Sequence, residues 1–328
     1  MAPAGTVTPQ IVILGAGPAG LSAALWLHKL GLRPLLLEAA GQAGGMLNEN
    51  LLPNDWVLGQ VGLTGPQLAG RFAGHVAGLA LAPRLHCQPS EIRRHEHGWR
   101  LALRNSGDAE SIDAAAVLIA TGTRPRAQDA LPGVEGLAAA APYIVYGPPA
   151  FAGLDGLRGQ RVLVVGGGDN ALENARFLLD QGCEVWVAAR SRFRAQRAMM
   201  EAVVGHPRAH LLSPVRLRAL QPAGGGLRVL LDAAPHELVV DRMHVLAGYA
   251  PNTDFLRDAL PPALFAQLGL DAEGYLGVDA AARTGCAGLY AAGDVCNPLF
   301  PSVVSAIAQG ALAAKTIELD LRQPPATP

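Results

Sequence analysis

A glycine-rich turn between an apolar run and a helical pattern occurs twice in this chain, and it constrains the fold more than any other feature. The first turn reads Gly15-Ala16-Gly17-Pro18-Ala19-Gly20, after an apolar run that ends at Leu14 and before a helical pattern that reaches about Leu30. The second reads Gly166-Gly167-Gly168-Asp169-Asn170-Ala171 and follows the run Arg161 to Val165. A strand, a glycine-rich turn and a helix together form the nucleotide-binding half of a β-α-β unit. Two such units in one chain predict an α/β fold with two dinucleotide-binding domains.

Each glycine of the first turn has a physical role in nucleotide binding. Gly15 permits the tight turn, Gly17 lets the backbone approach a pyrophosphate, and Gly20 lets the helix and strand pack closely. The amides at the start of the helix then hold the phosphates. Glu38 ends the next apolar run, Leu35 to Leu37, where its carboxylate can accept hydrogen bonds from ribose hydroxyls. The pattern predicts a dinucleotide site, and the alternative is a purely structural turn.

The second turn is followed by arginines where the first is followed by an acid. The next strand ends in Ala188 and Ala189, and the sequence then reads Arg190-Ser191-Arg192-Phe193-Arg194. A guanidinium pairs with a 2′-phosphate, which a carboxylate would repel. The segment therefore favours NADPH over NADH as a second cofactor, and the alternative is a solvated basic helix start.

Composition and charge argue against several other classes of protein. Half of the residues are hydrophobic, 16% are charged and the formal net charge is −1, so no global field attracts nucleic acid or an anionic membrane. The beginning of the chain has no basic segment, and the apolar stretch after it is broken by glycines, unlike a signal or membrane segment. The four cysteines are scattered, which suits neither a disulfide framework nor a zinc site. We expect a soluble, cytoplasmic protein with no nucleic-acid or membrane partner.

A few isolated side chains carry weaker signals. His95 and His97 form one close pair and His206 and His210 another, but neither has a carboxylate cluster or a second pair at metal spacing beside it. We therefore expect no metal site. Cys296 is a candidate redox thiol, although a small packed thiol is the favoured interpretation.

The order of these motifs resembles that of the thioredoxin reductase-like flavoproteins. The resemblance spans nearly the whole chain, and a series of ordered motifs is more specific than any one of them. Besides the two glycine turns and Glu38, the shared motifs are Gly44-Gly45, Asp55-Trp56 followed by Leu63-Thr64-Gly65-Pro66, Ala120-Thr121-Gly122, Arg190 to Ala195, and Ala291-Ala292-Gly293-Asp294.

The resemblance implies which cofactor each turn binds. FAD would bind the first turn, Asp294 would bind its ribityl chain, and the helix that starts near Ser302 would direct its amides at the flavin pyrimidine edge. A positive helix end at that edge stabilises negative charge on reduced flavin. The other FAD-binding residues that it implies are Gly45, Met46, Asp55, Thr121, Gly122, Gly293 and Val303. NADPH would bind the second turn through Gly166, Gly168, Asp169, Asn170 and Ala171, together with Arg190 and Arg194.

The predicted fold is α/β, with two Rossmann-like, three-layer ββα/β domains, the second inserted into the first. Residues 1–123 and 247–328 would form the FAD-binding domain, and residues 124–246 the NAD(P)H-binding domain. By the resemblance alone we expect a homodimer. The chemistry would be hydride transfer from NADPH C4 to flavin N5, which needs no side-chain acid or base because the cofactors carry the reaction.

One motif of the family is missing. Thioredoxin reductases carry a Cys-x-x-Cys shortly before the second glycine turn, whereas here the stretch Ala141 to Pro149 contains Tyr143 and Tyr146 and no sulfur. The relay from flavin to a disulfide needs an attacking thiolate and a resolving partner. Thioredoxin reduction by that route is therefore not expected, and the two tyrosines could face the flavin instead.

Three functions stay open for a protein without the dithiol. The first is an NADPH-dependent flavin reductase that serves a one-electron protein such as ferredoxin or flavodoxin, as in dithiol-free relatives of this fold. The second is a disulfide reductase, of thioredoxin or bacillithiol type, that uses thiols at another place. The third is a flavin-binding redox module that does not react with NADPH.

Overall fold

The computed structural model describes residues 10–96, 98–104, 110–148 and 156–322, and the chain divides into two compact units. Unit 1 contains the residues up to Arg124 and those from Ala250 onward, whereas unit 2 is Pro125–Tyr249. Unit 2 is therefore inserted into unit 1 along the chain. Which nucleotide each unit binds stays a prediction.

The described residues form the following elements in chain order. The strands are β1 (Gln10–Leu14), β2 (Arg33–Leu37), β3 (Gln88–His95), β4 (Gly98–Arg104), β5 (Glu110–Ala114), β6 (Ala116–Ile119), β7 (Thr123–Pro125), β8 (Ile144–Tyr146), β9 (Arg161–Val165), β10 (Glu184–Ala188), β11 (Ala209–Leu212), β12 (Leu217–Ala223), β13 (Gly226–Leu231), β14 (Glu237–Val240), β15 (Arg242–Val245), β16 (Tyr249–Pro251) and β17 (Leu289–Ala291). The helices are α1 (Pro18–Lys29), α2 (Gly65–Ala77), α3 (Leu137–Ala140), α4 (Asp169–Asp180), α5 (Arg197–Val203), α6 (Asp254–Ala259), α7 (Pro262–Gln267) and α8 (Val303–Arg322).

Unit 1 is built on a parallel sheet of four strands in the order β17-β6-β1-β2. Alternate residues of β1 face opposite layers, as a two-residue period requires. Val12 and Leu14 join an apolar cluster with residues of the antiparallel sheet β3-β4-β5, whereas Ile11 and Ile13 join a cluster with residues of α1 and α8. Burial of each such side chain contributes about 1.5 to 3 kcal/mol. The parallel sheet is thus the middle of three layers.

Unit 2 repeats this plan with a different strand order. Its parallel sheet has five strands in the order β11-β10-β9-β15-β8, and its antiparallel sheet is β12-β13-β14. Leu163 and Val165 of β9 share a buried cluster with Val229 and Leu231 of β13. The prediction of two Rossmann-like, three-layer α/β domains is confirmed.

Within the described part of the chain, no helix is both long and apolar enough to cross a membrane. The longest of them, α8, has 20 residues and carries charged side chains among its apolar ones.

Candidate cofactor-binding sites

The first glycine turn lies between β1 and α1, and its three glycines have distinct surroundings. Gly15 has a φ of +105°, and a Cβ there would lie 2.4 Å from the carbonyl oxygen of Ala120. A Cβ on Gly20 would lie 1.9 Å from the carbonyl oxygen of Gly15, so only glycine lets α1 approach the turn this closely. A Cβ on Gly17 would have the Cα of Gly45 as its nearest neighbour, at an uncrowded 3.9 Å. The turn therefore has one side free for a phosphate group.

Glu38 connects the end of β2 to this turn. Its Oε2 accepts a hydrogen bond from the Ala16 amide at 2.7 Å, and its Oε1 accepts one from the Ala40 amide at 2.8 Å. A carboxylate offers about four lone-pair sites, so acceptor capacity remains for ribose hydroxyls. The sequence pattern predicted only the ribose contact of Glu38 and not its role in holding the turn.

The predicted residues Gly45 and Met46 lie beside the first turn. The Gly44 amide donates to the carbonyl oxygen of Ala16 at 2.8 Å, and a short 3-10 turn, Gly45–Glu49, follows. Met46 is half-buried in that turn. These contacts bring the Gly44-Gly45 motif next to Gly17.

Thr121 and Gly122 follow β6 and are clamped by Asn252. The Thr121 hydroxyl donates to the carbonyl oxygen of Asn252, and Asn252 Nδ2 donates to that of Thr121, both at 2.9 Å. The Asn252 amide also donates to the carbonyl oxygen of Gly122 at 3.0 Å. Sequence analysis did not single out Asn252, and its distance along the chain from Thr121 explains why.

Asp294 follows β17 and carries an unsatisfied polar atom. Its Oδ1 is buried and has no hydrogen-bond partner within the described residues. Burial raises the pKa of this carboxyl to about 6, and the Ser302 amide opposes that shift. A buried oxygen without a partner is costly unless a ligand satisfies it. The hydroxyls of a ribityl chain would do so, and the site therefore fits FAD.

Helix α8 and the turn that precedes it lie close to α1 because two glycines carry no side chain. A Cβ on Gly310 would lie 2.2 Å from the carbonyl oxygen of Ala19, and a Cβ on Gly293 would lie 2.8 Å from the Ala19 Cβ. Gln309 Oε1 also accepts a hydrogen bond from the Gly293 amide at 2.8 Å. The Gly293-Asp294 turn is consequently fixed beside α1, a relation that local sequence patterns did not reveal.

The start of α8 was predicted at about Ser302, and α8 begins one residue later. Ser302 is the residue that caps the helix, because its Oγ accepts a hydrogen bond from the Ser305 amide at 3.1 Å. Val303 packs against a small buried cluster that contains Leu47 and Val57. The amides of the first turn of α8 retain the partial positive charge of a helix N-terminus.

Asp55 has a structural contact in the exposed loop that precedes α2. Its Oδ1 accepts a hydrogen bond from the Gly62 amide at 2.7 Å. The neighbouring Trp56 is 67% exposed. A role for Asp55 in binding FAD stays a prediction.

The second glycine turn repeats the first in outline. A Cβ on Gly166 would lie 2.5 Å from the carbonyl oxygen of Leu246, Gly168 faces open space, and Ala171 is fully buried in the third position. Asn170 Nδ2 donates to the Tyr249 hydroxyl at 2.9 Å. Asp169 accepts two hydrogen bonds from Gln196.

The arginines after β10 are exposed. For Arg190, Arg192 and Arg194, no hydrogen bond or ion pair of the guanidinium group occurs within residues 10–96, 98–104, 110–148 and 156–322. The Arg194 backbone amide donates to the carbonyl oxygen of Gly167 at 2.7 Å. Three available cations thus lie in a segment bonded to the second glycine turn, and this fits a nucleotide with a 2′-phosphate.

All four cysteines of the chain lie within the described residues, and all are free thiols. Cys87, Cys183 and Cys286 are buried, and burial raises the pKa of each. Burial raises the pKa of Cys296 to about 12, with a further contribution from Asp294. Its Sγ donates to the carbonyl oxygen of Gly293 at 3.4 Å. A thiol of this kind is protonated at neutral pH and is a poor nucleophile.

No group of three or more histidine, cysteine or acidic residues suited to a metal occurs in the described part of the chain. His97 lies outside that part. Tyr143 and Tyr146 are partly buried in unit 2, and burial raises the pKa of Tyr146.

Comparisons with known proteins agree with this geometry. Residues 9–310 match the family described as pyridine nucleotide-disulphide oxidoreductase. A thioredoxin reductase of Coxiella burnetii is 28% identical, with 94% of this chain and 95% of that protein covered. A glucosaminate ammonia-lyase of Pseudomonas fluorescens is also 28% identical, with 94% of each chain covered. The crystal structure of T. acidophilum thioredoxin reductase superposes with a TM-score of 0.81 at 26% identity, over 95% of this chain and 98% of that one. Relatives that carry different activities are thus similar over nearly their full length.

Proposed function

Because the chain belongs to the pyridine nucleotide-disulphide oxidoreductase family, we propose that it passes electrons from NADPH through FAD to an acceptor without using a thiol of its own. Thioredoxin reductases of this family use FAD and NADPH, so the chain is a thioredoxin reductase-like, FAD-dependent enzyme. FAD and NADPH supply the hydride chemistry, and the protein supplies binding, alignment and electrostatics.

The FAD-binding residues of the proposal belong to unit 1. The glycine turn from Gly15 to Gly20 would hold the pyrophosphate, Glu38 the adenosine ribose and Asp294 the ribityl hydroxyls. The start of α8, from Ser302, would direct its amides at the flavin. The remaining proposed contacts are Gly45, Met46, Asp55, Thr121, Gly122, Gly293 and Val303.

The NADPH-binding residues of the proposal belong to unit 2. Gly166, Gly168, Asn170 and Ala171 would form the turn around the pyrophosphate. Arg190 and Arg194 would pair with the 2′-phosphate, since a guanidinium binds phosphate through two parallel hydrogen bonds.

The state of the thiols is the observation that supports a route without a dithiol. The stretch from Tyr143 to Tyr146 holds no cysteine, and each of the four thiols of the chain has a raised pKa. A disulfide relay needs a thiolate to attack and a second thiol to resolve the mixed disulfide. The acceptor would therefore react with the flavin directly, as ferredoxins and flavodoxins do. Four unpaired thiols also suit a reducing compartment such as the cytoplasm.

An anaerobic titration tests the first half of the proposal. The purified yellow protein is titrated with NADPH and, in parallel, with NADH, and the absorbance of oxidised flavin is followed. We expect NADPH to bleach the flavin at lower concentrations than NADH. A flavin that stays oxidised in excess NADPH would contradict the proposal and leave a flavin-binding module.

A cysteine-free variant tests the second half. Cys87, Cys183, Cys286 and Cys296 are replaced by serine together, and turnover is measured with ferredoxin, flavodoxin, thioredoxin and bacillithiol disulfide as acceptors. We expect turnover with a direct acceptor to be unchanged once FAD content is matched. A loss of turnover that affects only the disulfide acceptors would instead indicate a thiol relay at an unusual place. Light scattering on the same samples tests the homodimer that the family resemblance implies.

A further inference from the structure

Both oxygens of the Asp169 carboxylate accept hydrogen bonds from another residue of the chain. Its Oδ1 accepts a hydrogen bond from the backbone amide of Gln196 at 2.7 Å, and its Oδ2 accepts one from Gln196 Nε2 at 3.0 Å. Two bonds from one carboxylate to one residue fix both the distance and the orientation of Gln196 relative to the start of α4.

Gln196 ends the arginine segment, which we define as residues 190–196. Besides its connection to α5, this segment is attached to its surroundings at three points. The Ser213 hydroxyl donates to the carbonyl oxygen of Ser191 at 2.7 Å, and the Arg194 amide donates to that of Gly167 at 2.7 Å. Asp169 provides the third attachment, and it is the one made by a side chain of the glycine turn.

An ionised carboxylate is a poor direct ligand for a pyrophosphate at this position. It accepts hydrogen bonds and donates none, so it offers nothing to a phosphate oxygen. Its charge also opposes the attraction of the α4 N-terminus for an anion. The presence of an acid inside the turn is explained instead by its contact with Gln196.

The exposed guanidinium groups of the arginine segment depend on their backbone for position. Arg190 and Arg194 are exposed, so packing does not restrict their side chains. Ordering a long side chain on binding costs about 0.5 to 1.5 kcal/mol, and a mobile backbone would add to that cost. Anchoring the segment at both of its ends reduces the free-energy cost of ordering its backbone on binding.

We propose that Asp169 is a positioning residue, which fixes the arginine segment for the 2′-phosphate of NADPH and so sets the preference for NADPH over NADH. The inference rests on the proposed function, which assigns NADPH to this turn.

Direct binding of two probes measures the effect without turnover. Calorimetry on the FAD-loaded enzyme gives the affinities for 2′,5′-ADP and for 5′-AMP, which differ only by the 2′-phosphate. Asp169→Ala should weaken 2′,5′-ADP binding about tenfold, as expected for loss of a charged hydrogen-bonding group. 5′-AMP should bind as before or more tightly, because a negative charge beside its phosphate is removed.

Asp169→Asn separates the hydrogen bonds from the charge. The side-chain oxygen of the asparagine can accept a hydrogen bond from the Gln196 backbone amide. Its NH2 group can donate to Gln196 Oε1 once the side-chain amide of Gln196 is flipped. The ratio of the two affinities should therefore stay within about twofold of the wild-type ratio. Gln196→Ala keeps the backbone bond and loses the side-chain bond, so its loss should be smaller than that of Asp169→Ala.

Asp180→Ala is the matched control at the other end of α4. Asp180 accepts hydrogen bonds from Arg176 at 2.9 Å and makes no contact with the arginine segment. Its affinity ratio should equal that of the wild type. In steady-state assays, Asp169→Ala should raise KM for NADPH by a larger factor than KM for NADH.

The outcomes separate the inference from its premise. An Asp169→Ala protein that keeps the wild-type ratio overturns the inference and leaves the proposed function standing, as does an Asp169→Asn protein with the same loss as Asp169→Ala. If Asp169→Ala does not fold, an unchanged ratio in Gln196→Ala overturns it. A wild-type enzyme that binds 2′,5′-ADP no more tightly than 5′-AMP removes both the premise and the inference.

Discussion

In both units a carboxylate forms a hydrogen bond between the glycine turn and the end of the second strand, but the carboxylate belongs to the strand end in one unit and to the turn in the other. In unit 1 the acid Glu38 stands at the end of the second strand and accepts a hydrogen bond from Ala16 inside the turn. In unit 2 the acid Asp169 stands inside the turn and accepts from Gln196, in the segment after the second strand. Each unit thus connects its turn to its strand end through a carboxylate. The position of that carboxylate leaves the strand end negative in unit 1 and positive in unit 2.

This difference matches the two ligands that the units are proposed to bind. A carboxylate at the strand end accepts hydrogen bonds from two ribose hydroxyls, whereas a 2′-phosphate needs cations there. An acid moved into the turn still anchors the strand-end segment and leaves its arginines available. On the proposed function, one fold would therefore serve two nucleotides through the placement of a single acid.

Substitution at the third position of each glycine turn should give the largest difference between the two units in the free energy of unfolding. A Cβ on Gly20 would lie 1.9 Å from the Gly15 carbonyl oxygen, whereas Ala171 already accommodates its methyl group. Gly20→Ala should lower the free energy of unfolding by about 3 kcal/mol and release FAD. The reciprocal change, Ala171→Gly, should cost about 1 kcal/mol. Thermal unfolding followed by circular dichroism and by flavin fluorescence measures both, and equal effects would contradict the packing argument.

Removal of the strand-end acid should affect one nucleotide only. Glu38→Ala loses its bonds to Ala16 and Ala40 and the proposed ribose contact, so FAD affinity should fall about 30- to 100-fold. Affinity for 2′,5′-ADP should stay unchanged, because Glu38 belongs to unit 1. Reconstitution of apoprotein with FAD measures the first value and calorimetry the second. Glu91→Ala, an exposed acid on β3, is the control, and a comparable FAD loss in that protein would point to a general charge effect.

Acid should weaken unit 2 through His244, which is fully buried in β15. Burial lowers the pKa of this imidazole to about 4, with a further contribution from Arg242. Between the folded value and the ordinary value of 6.5, the unfolded chain binds more protons, so the free energy of unfolding falls as the pH drops through that window. The loss should reach about 2 kcal/mol at pH 5.

Comparison of melting temperatures at pH 7.5 and pH 5 isolates this effect. His244→Leu removes the titrating ring, so its melting temperature relative to the wild type should rise on acidification. A difference between the two proteins that does not change with pH would rule out the assignment.

The buried acid of unit 1 should make FAD binding depend on pH, whereas the buried base of unit 2 affects stability. Burial raises the pKa of Asp294 to about 6, and a ribityl hydroxyl that donates to it favours the ionised form. The FAD complex then binds fewer protons than the apoprotein. FAD affinity should therefore fall about fivefold between pH 7 and pH 5.

Asp294→Asn provides the test of that assignment. The amide does not titrate, so the variant should bind FAD more weakly at pH 7 and show no change down to pH 5. FAD binding curves collected at both pH values decide the matter. An identical pH dependence in variant and wild type would place the titrating group elsewhere.

The parts of the molecule that sequence analysis predicted are those with a local cause. The β1-turn-α1 and β9-turn-α4 units could be read directly, because a strand, three spaced small residues and a helix are consecutive. The end of β2 at Leu37 also placed Glu38 at a strand end. These inferences needed only periodicity and the conformational preferences of glycine and proline.

The contacts that sequence analysis missed join residues far apart in the chain. Asn252 clamps Thr121, Gln309 holds Gly293, and Gln196 bonds to Asp169. Asparagine and glutamine carry no local signature, since their partners are fixed only when separate elements meet. A single sequence therefore revealed the two glycine turns but not the amide side chains that hold them in place.

The close approach of Gly310 to Ala19 has a consequence for the order of assembly. Helix α1 is synthesised before unit 2, whereas α8, its packing partner, is synthesised after unit 2. All of unit 2 has been synthesised by then, so it can fold while unit 1 still lacks a helix. The nascent chain must therefore keep the apolar face of α1 out of other contacts until α8 has been made.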